Sequence, residues 1–177
     1  FLLVGIENTE RRRDLTGPTD VAEDREIASH VGGSAAFRAF LREELMPAVA
    51  ARYRVTSERA IVGESLAGLF VVETFFAEPG LFDAHFAFDP SLWWNDAELV
   101  RRAPESLRAN REIAGALYLA SSDQPELAAL AARLAEALRA AAGPNVRWRH
   151  VPMPDEAHHT IYHPAALRAF RAVLAPE

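Results

Sequence analysis

Serine, aspartate and histidine, three side chains that cooperate in acyl transfer, recur here in that order as Ser65, Asp123 and His158. Ser65 sits in the run Gly63-Glu64-Ser65-Leu66-Ala67-Gly68. A serine hydroxyl is a poor nucleophile until a base removes its proton and a local geometry presents it. Small residues two before and two after the serine permit a sharp strand-to-helix turn that lifts the side chain clear of a sheet. Arg59–Val62 reads as a short buried strand and Leu66–Phe76 as an apolar helix, so this run lies where such an elbow belongs. The same turn would set the Leu66 amide at a helix N-terminus, where a positive dipole end meets a developing oxyanion. The plainer alternative is that Ser65 only caps the helix.

A base must exchange its proton near neutrality, which suits imidazole. His158 lies in Asp155-Glu156-Ala157-His158-His159-Thr160, after the last strand and before the last helix. Spacing alone does not choose between His158 and His159. His159 and His163 also permit a metal reading, but Pro164 stands where a helix would begin and no third well-spaced ligand accompanies them. No metal or organic cofactor is expected. For the acid, Asp123 follows the fourth strand and could orient the imidazole, with Glu126 as a substitute. Asp155 and Glu156 are too close in sequence to the histidine to be favoured. Trp93 and Trp94, at the exit of the third strand, would wall the site, with at least one of them serving as core.

The elements that must position these residues alternate between strand and helix. Apolar runs at Phe1–Ile6, Arg59–Val62, Ala84–Phe88, Ala116–Ala120 and Val146–Val151 read as strands. Helical patterns cover Ser34–Tyr53 (with Ser34 as cap and a bend or break at Pro47), Leu66–Phe76, Glu126–Ala142 and Pro164–Leu174, and Asn95–Asn110 in pieces. Glu7–Gly32 reads as a long loop. Such alternation predicts an α/β fold, a mostly parallel sheet with helices on both faces, whose strands offer active groups at their carboxyl ends. No repeat or linker divides the chain, so residues 1–177 are read as one domain.

With 177 residues, a net charge of −6 and arginines scattered among acids, the chain offers no phosphate-binding stripe, and nucleic acid is not an expected partner. The absence of cysteine excludes disulfides, thiolate metal sites and cysteine nucleophiles. No apolar stretch is long enough to span a bilayer. The chain opens on Phe1 rather than methionine, so residues are expected to have preceded it; the compartment stays unassigned.

Further stretches extend the pattern: Val4-Gly5-Ile6-Glu7-Asn8-Thr9, Arg13-Asp14-Leu15-Thr16, Gly32-Gly33 with Phe37, Glu44-Leu45-Met46-Pro47 with Tyr53, and Pro90-Ser91-Leu92-Trp93-Trp94. Together with the serine and histidine runs, they resemble the esterase D-like branch of the α/β-hydrolases, which includes enterochelin esterases and S-formylglutathione hydrolases. The resemblance implies carboxylic-ester hydrolysis with Ser65 as nucleophile. Its Glu-x-His-x-Ser/Thr pattern falls on Glu156, His158 and Thr160, which selects His158 as base. Arg13, in one of the matching stretches, is read with Leu66, Trp93 and Trp94 among the oxyanion and substrate-binding positions. The acid is less uniform in this family, and some members are described as working with a serine–histidine pair.

Two departures accompany the resemblance. The elbow usually carries histidine where Glu64 stands. The chain also matches only the C-terminal two-thirds of the usual domain, so a second oxyanion donor is expected from outside it. The expected partner is a small-molecule ester, such as a siderophore lactone, with self-association left open. The alternative is a catalytically silent domain of the same fold, used for binding or assembly.

Overall fold

The computed structural model describes residues 1–174 and contains a four-stranded parallel sheet in the order β1-β2-β3-β4. The strands are β1 (Ala60–Glu64), β2 (Ala84–Phe88), β3 (Gly115–Ser121) and β4 (Val146–Pro152). Each consecutive pair is joined by a helical crossover, the connection parallel strands require. The register aligns Glu64 with Phe88 and Phe88 with Ala120, so the first three strands end level with one another.

Short helices α1 (Arg11–Asp14) and α2 (Ala22–Glu26) interrupt the expected Glu7–Gly32 loop. Then come α3 (Ser34–Phe40), a π-helical turn over Leu41–Leu45, and α4 (Met46–Arg52). Pro47 explains the π turn. Proline lacks an N–H and its ring crowds the carbonyl four residues back, and widening the preceding turn relieves both without ending the helix. The cap of α3 is Gly33 rather than Ser34, whose hydroxyl instead donates to Glu73 Oε1 at 2.6 Å.

The remaining helices are α5 (Leu66–Ala77), α6 (Trp94–Ala109), α7 (Pro125–Ala141) and α8 (Tyr162–Val173). Strand alternation divides the core in two. Phe86, Phe88, Tyr118 and Ala120 point to one face, where Ile161, Ala165, Ala166 and Ala169 cover them. Ala87, Leu117 and Leu119 point to the other, against Leu69, Phe70, Val72 and Phe75 of α5, Val100 and Leu107 of α6, and Leu134 and Leu138 of α7. α5 is apolar nearly all round because it is buried nearly all round.

The expected strand at Phe1–Ile6 is not formed. These residues carry no ladder, and Phe1 to Val4 and Ile6 are exposed. An apolar run becomes a strand only where a neighbour accepts its backbone hydrogen bonds, and no strand of this sheet pairs with it. Among the described residues no helix is long and apolar enough to cross a membrane.

Candidate active site

Ser65 occupies the turn between β1 and α5 with φ 59° and ψ −122°, a conformation costly for a residue with a Cβ. The surroundings over-determine it. Its N–H donates to Phe88 O at 3.0 Å, and its carbonyl accepts from Ser91 N at 3.0 Å and from Leu69 N at 2.9 Å. Two glycines make room: a Cβ on Gly63 would lie 2.4 Å from Ala67 O, and one on Gly68 would lie 3.0 Å from the Pro90 Cα. The conformation is that of a sharp strand-to-helix elbow rather than of a simple helix cap, and Ser65 makes no capping hydrogen bond. Leu66 is the first residue of α5, and the leading amides of a helix have no intrahelical acceptor.

His158 reaches the same end of the sheet from the loop after β4. That loop is held by Met153 N to Ser121 O at 2.7 Å, Asp123 N to Glu156 O at 2.9 Å and Ala157 N to Thr160 Oγ1 at 2.9 Å. Thr160 Oγ1 in turn donates to Glu156 Oε2 at 2.8 Å. Of the matched Glu156, His158 and Thr160, the outer two therefore brace the loop that carries the imidazole.

The imidazole's partner is Asp89, not Asp123. His158 Nδ1 lies 3.0 Å from Asp89 Oδ2, and Asp89 is fully buried. Its other oxygen accepts Ser122 N at 2.6 Å, and its own N–H donates to Ala120 O at 2.9 Å. Asp89 leaves β2 with φ 41°, which turns its carboxylate across the carboxyl end of the sheet toward β3 and β4. An ionised carboxylate only accepts, so the proton sits on Nδ1 and leaves Nε2 as an acceptor. Asp123, the sequence's candidate, is exposed and contributes its backbone to the loop rather than its carboxylate to the histidine. Glu126 is also exposed, in the first turn of α7.

Two further groups enter this site. Ser91 is buried, with Oγ 3.4 Å from Ser65 Oγ. Glu64 Oε1 lies 3.9 Å from His158 Nε2. No hydrogen bond joins Ser65 to His158 in this arrangement; such contacts are commonly loose without substrate.

The tryptophans divide their tasks. Trp94 is buried, its indole N–H donating to Gly17 O at 2.9 Å, whereas Trp93 is 38 % exposed. The chain after them is strained: Asn95, Asp96 and Ala97 have φ 51°, 52° and 52°. Asp24 Oδ2 holds this segment by accepting Asn95 N at 2.8 Å and Thr19 Oγ1 at 2.7 Å. Arg13 is engaged elsewhere, its guanidinium 2.7 Å from Asp14 and 3.4 Å from Glu10, which raises its pKa, chiefly through the Asp14 hydrogen bond. His159 and His163 are exposed, and among the described residues no three histidine or carboxylate side chains gather as metal ligands.

Asp89 and Ser91 escaped the sequence reading. The signal was present in Asp89-Pro90-Ser91 at the end of an apolar strand, but only the strand order, which puts β2 between β1 and β3, sets that exit beside Ser65.

Comparison with known proteins gives a consistent result. A family model described as "Putative esterase" matches residues 1–150. The ferri-bacillibactin esterase BesA of Bacillus subtilis is 32% identical over 111 residues, covering 56% of this chain and 38% of that enzyme. The siderophore triacetylfusarinine C esterase of Aspergillus fumigatus is 36% identical over 97 residues, covering 52% of this chain and 32% of that enzyme. Among solved structures, an IroE-like serine hydrolase from Shewanella oneidensis superposes with a TM-score of 0.85 at 24% identity, over 95% of this chain and 58% of that one. The BES protein of Bacillus cereus superposes with a TM-score of 0.81 at 19% identity, over 99% of this chain and 69% of that one. These neighbours place the fold among the α/β-hydrolases. The matched segments cover 38% and 32% of the lengths of the two curated relatives.

Proposed function

The chain belongs to the esterase family whose model covers residues 1–150, and from that membership we propose a serine-dependent carboxylic-ester hydrolase that works through an acyl-enzyme. The observation that carries the reading is the contact between buried Asp89 and half-buried His158 at the same sheet end as the strained, half-buried Ser65. Ser65 Oγ attacks the ester carbonyl carbon while its proton passes to His158 Nε2. Asp89 holds the Nδ1–H and stabilises the imidazolium, and the Leu66 N–H faces the oxyanion. The imidazolium then gives its proton to the departing alcohol. Water repeats the sequence on the acyl-serine, returning Ser65 and releasing the acid.

Esters of the siderophore type, or other small esters, are the proposed substrates, in keeping with what the two curated relatives are named for. Trp93 and Trp94 are proposed to wall the substrate position, Trp93 by direct contact and Trp94 as its buried support. Arg13 is proposed as a further substrate-binding position, its guanidinium held by Asp14 and Glu10.

A fluorophosphonate probe followed by peptide mass spectrometry tests the central step. The adduct is expected on the peptide containing Ser65 and is expected to vanish in Ser65→Ala. Failure of the wild type to label, or equal labelling of the variant, overturns the reading.

A further inference from the structure

We infer that Glu64 is a charge-selecting residue of this site, favouring esters with a positive charge near the scissile carbonyl over those with a negative one. The inference rests on the reading of Ser65 and His158 as the nucleophile and its base.

The geometry begins at the elbow. Glu64 ends β1 directly before Ser65, and its carboxylate stands 3.9 Å from His158 Nε2, the nitrogen that must take the serine proton. Its side chain is 30% exposed, so it borders both the imidazole and solvent. Ser65 Oγ must approach that same nitrogen to pass on its proton, so a carbonyl poised on it enters the neighbourhood of this carboxylate.

The charge is not neutralised when substrate arrives. A general base must be neutral in order to accept a proton, so His158 offers Glu64 no cation at that moment. Asp89, on the other imidazole nitrogen, is itself a buried carboxylate already committed to Ser122 N and His158. Around the site, the strand-exit segments 63–66, 89–97, 122–126 and 153–161 contain no lysine or arginine. Their remaining acids are Asp96, paired with Arg101 at 3.3 Å, Glu156, bonded to Thr160, and Asp123, Glu126 and Asp155. Of the arginines in residues 7–32, Arg13 and Arg25 already face Asp14 and Asp20, and Arg12 donates to Ile27 O. Glu64 is thus a solvent-bordering carboxylate beside His158 with no arginine paired to it among the described residues, and a cationic substituent is the group that would meet it.

Two unit charges about 5 Å apart at a half-exposed site interact strongly enough to change a rate by roughly four- to tenfold. The effect is screened by salt because the carboxylate borders solvent.

The test uses acetate esters of choline and of 3,3-dimethylbutanol, which share one shape and differ by a single charge, together with a carboxylate-bearing ester of similar size. The wild type is expected to show a kcat/KM about four- to tenfold higher for the choline ester than for its neutral isostere, and lowest for the anionic ester. In Glu64→Gln the cation-to-neutral ratio falls toward one, in Glu64→Asp the preference returns, and in the wild type added salt shrinks it. Turnover that depends on Ser65 but shows the same ratio in wild type and Glu64→Gln overturns this inference and leaves the serine mechanism standing. Turnover that survives Ser65→Ala, or no turnover of any ester, overturns the mechanism and the inference with it.

Discussion

Two aspartates compete for the histidine in the primary structure, and burial separates them. Asp89 is fully buried, with one oxygen on Ser122 N and the other on His158 Nδ1, whereas Asp123 is exposed. A carboxylate that holds the imidazole's tautomer is felt in turnover far more than one in solvent. Asp89→Asn is expected to lower kcat/KM on a p-nitrophenyl ester by about a hundred- to ten-thousandfold. Asp123→Asn should stay within about threefold of wild type, since it removes no partner of the histidine. Reversal of that ranking would return the role to Asp123. The identity of the acid was not legible in the sequence because both aspartates follow apolar strands, and strand order alone reveals which exit faces the histidine loop.

At the scale of elements, the loop from Asp89 into α6 carries the molecule's densest backbone strain, with Asp89, Asn95, Asp96 and Ala97 all at positive φ. Each left-handed residue with a Cβ costs roughly 1–2 kcal/mol. Asp24 offsets this by accepting Asn95 N and Thr19 Oγ1 from a position only 5% exposed. Opposite signs are therefore expected in urea unfolding. Ala97→Gly should raise stability by about 1 kcal/mol through relief at a position glycine adopts freely. Asp24→Ala should lower it by about 2 kcal/mol by leaving buried donors unpaired. The sequence showed this stretch only as polar and broken, because Asn and Asp tolerate left-handed backbone without requiring it, Ala does not favour it, and the bond that fixes Asn95 comes from Asp24, 71 residues away.

The whole molecule has a pH limit set within its core. His85 on β2 is fully buried between Phe75 and Phe82, and neither ring nitrogen has a hydrogen-bond partner. Burial pushes its pKa down to about 4, against the weaker upward pull of the Ala116 backbone and Asp83. The unfolded chain, with an ordinary histidine near 6.5, binds the proton first as pH falls. Stability from this residue is thus complete above pH 6.5 and is lost progressively down to about pH 4. A shift of that size corresponds to about 3 kcal/mol. His85→Phe, which keeps an aromatic ring against Phe75 and Phe82, should gain on the wild type by about that much between pH 7 and pH 4 in denaturant titrations. A constant difference between the two proteins across that range would contradict the assignment.

The sequence by itself determined the parallel α/β character, the boundaries of β2, the elbow and the loop that carries His158. Each of these is local: apolar runs of strand length, a Gly-x-Ser-x-Ala turn between a strand and an apolar helix, and a short polar segment after the last strand. Tertiary structure decided the rest. It left Phe1–Ile6 without a ladder, because pairing needs a neighbour that composition cannot supply. It carried the helix past Pro47 through a wider turn. It chose Asp89 over Asp123, and set Glu64 and Ser91 against the reacting groups, because lateral strand order brings together exits that lie 24 to 94 positions apart in the chain.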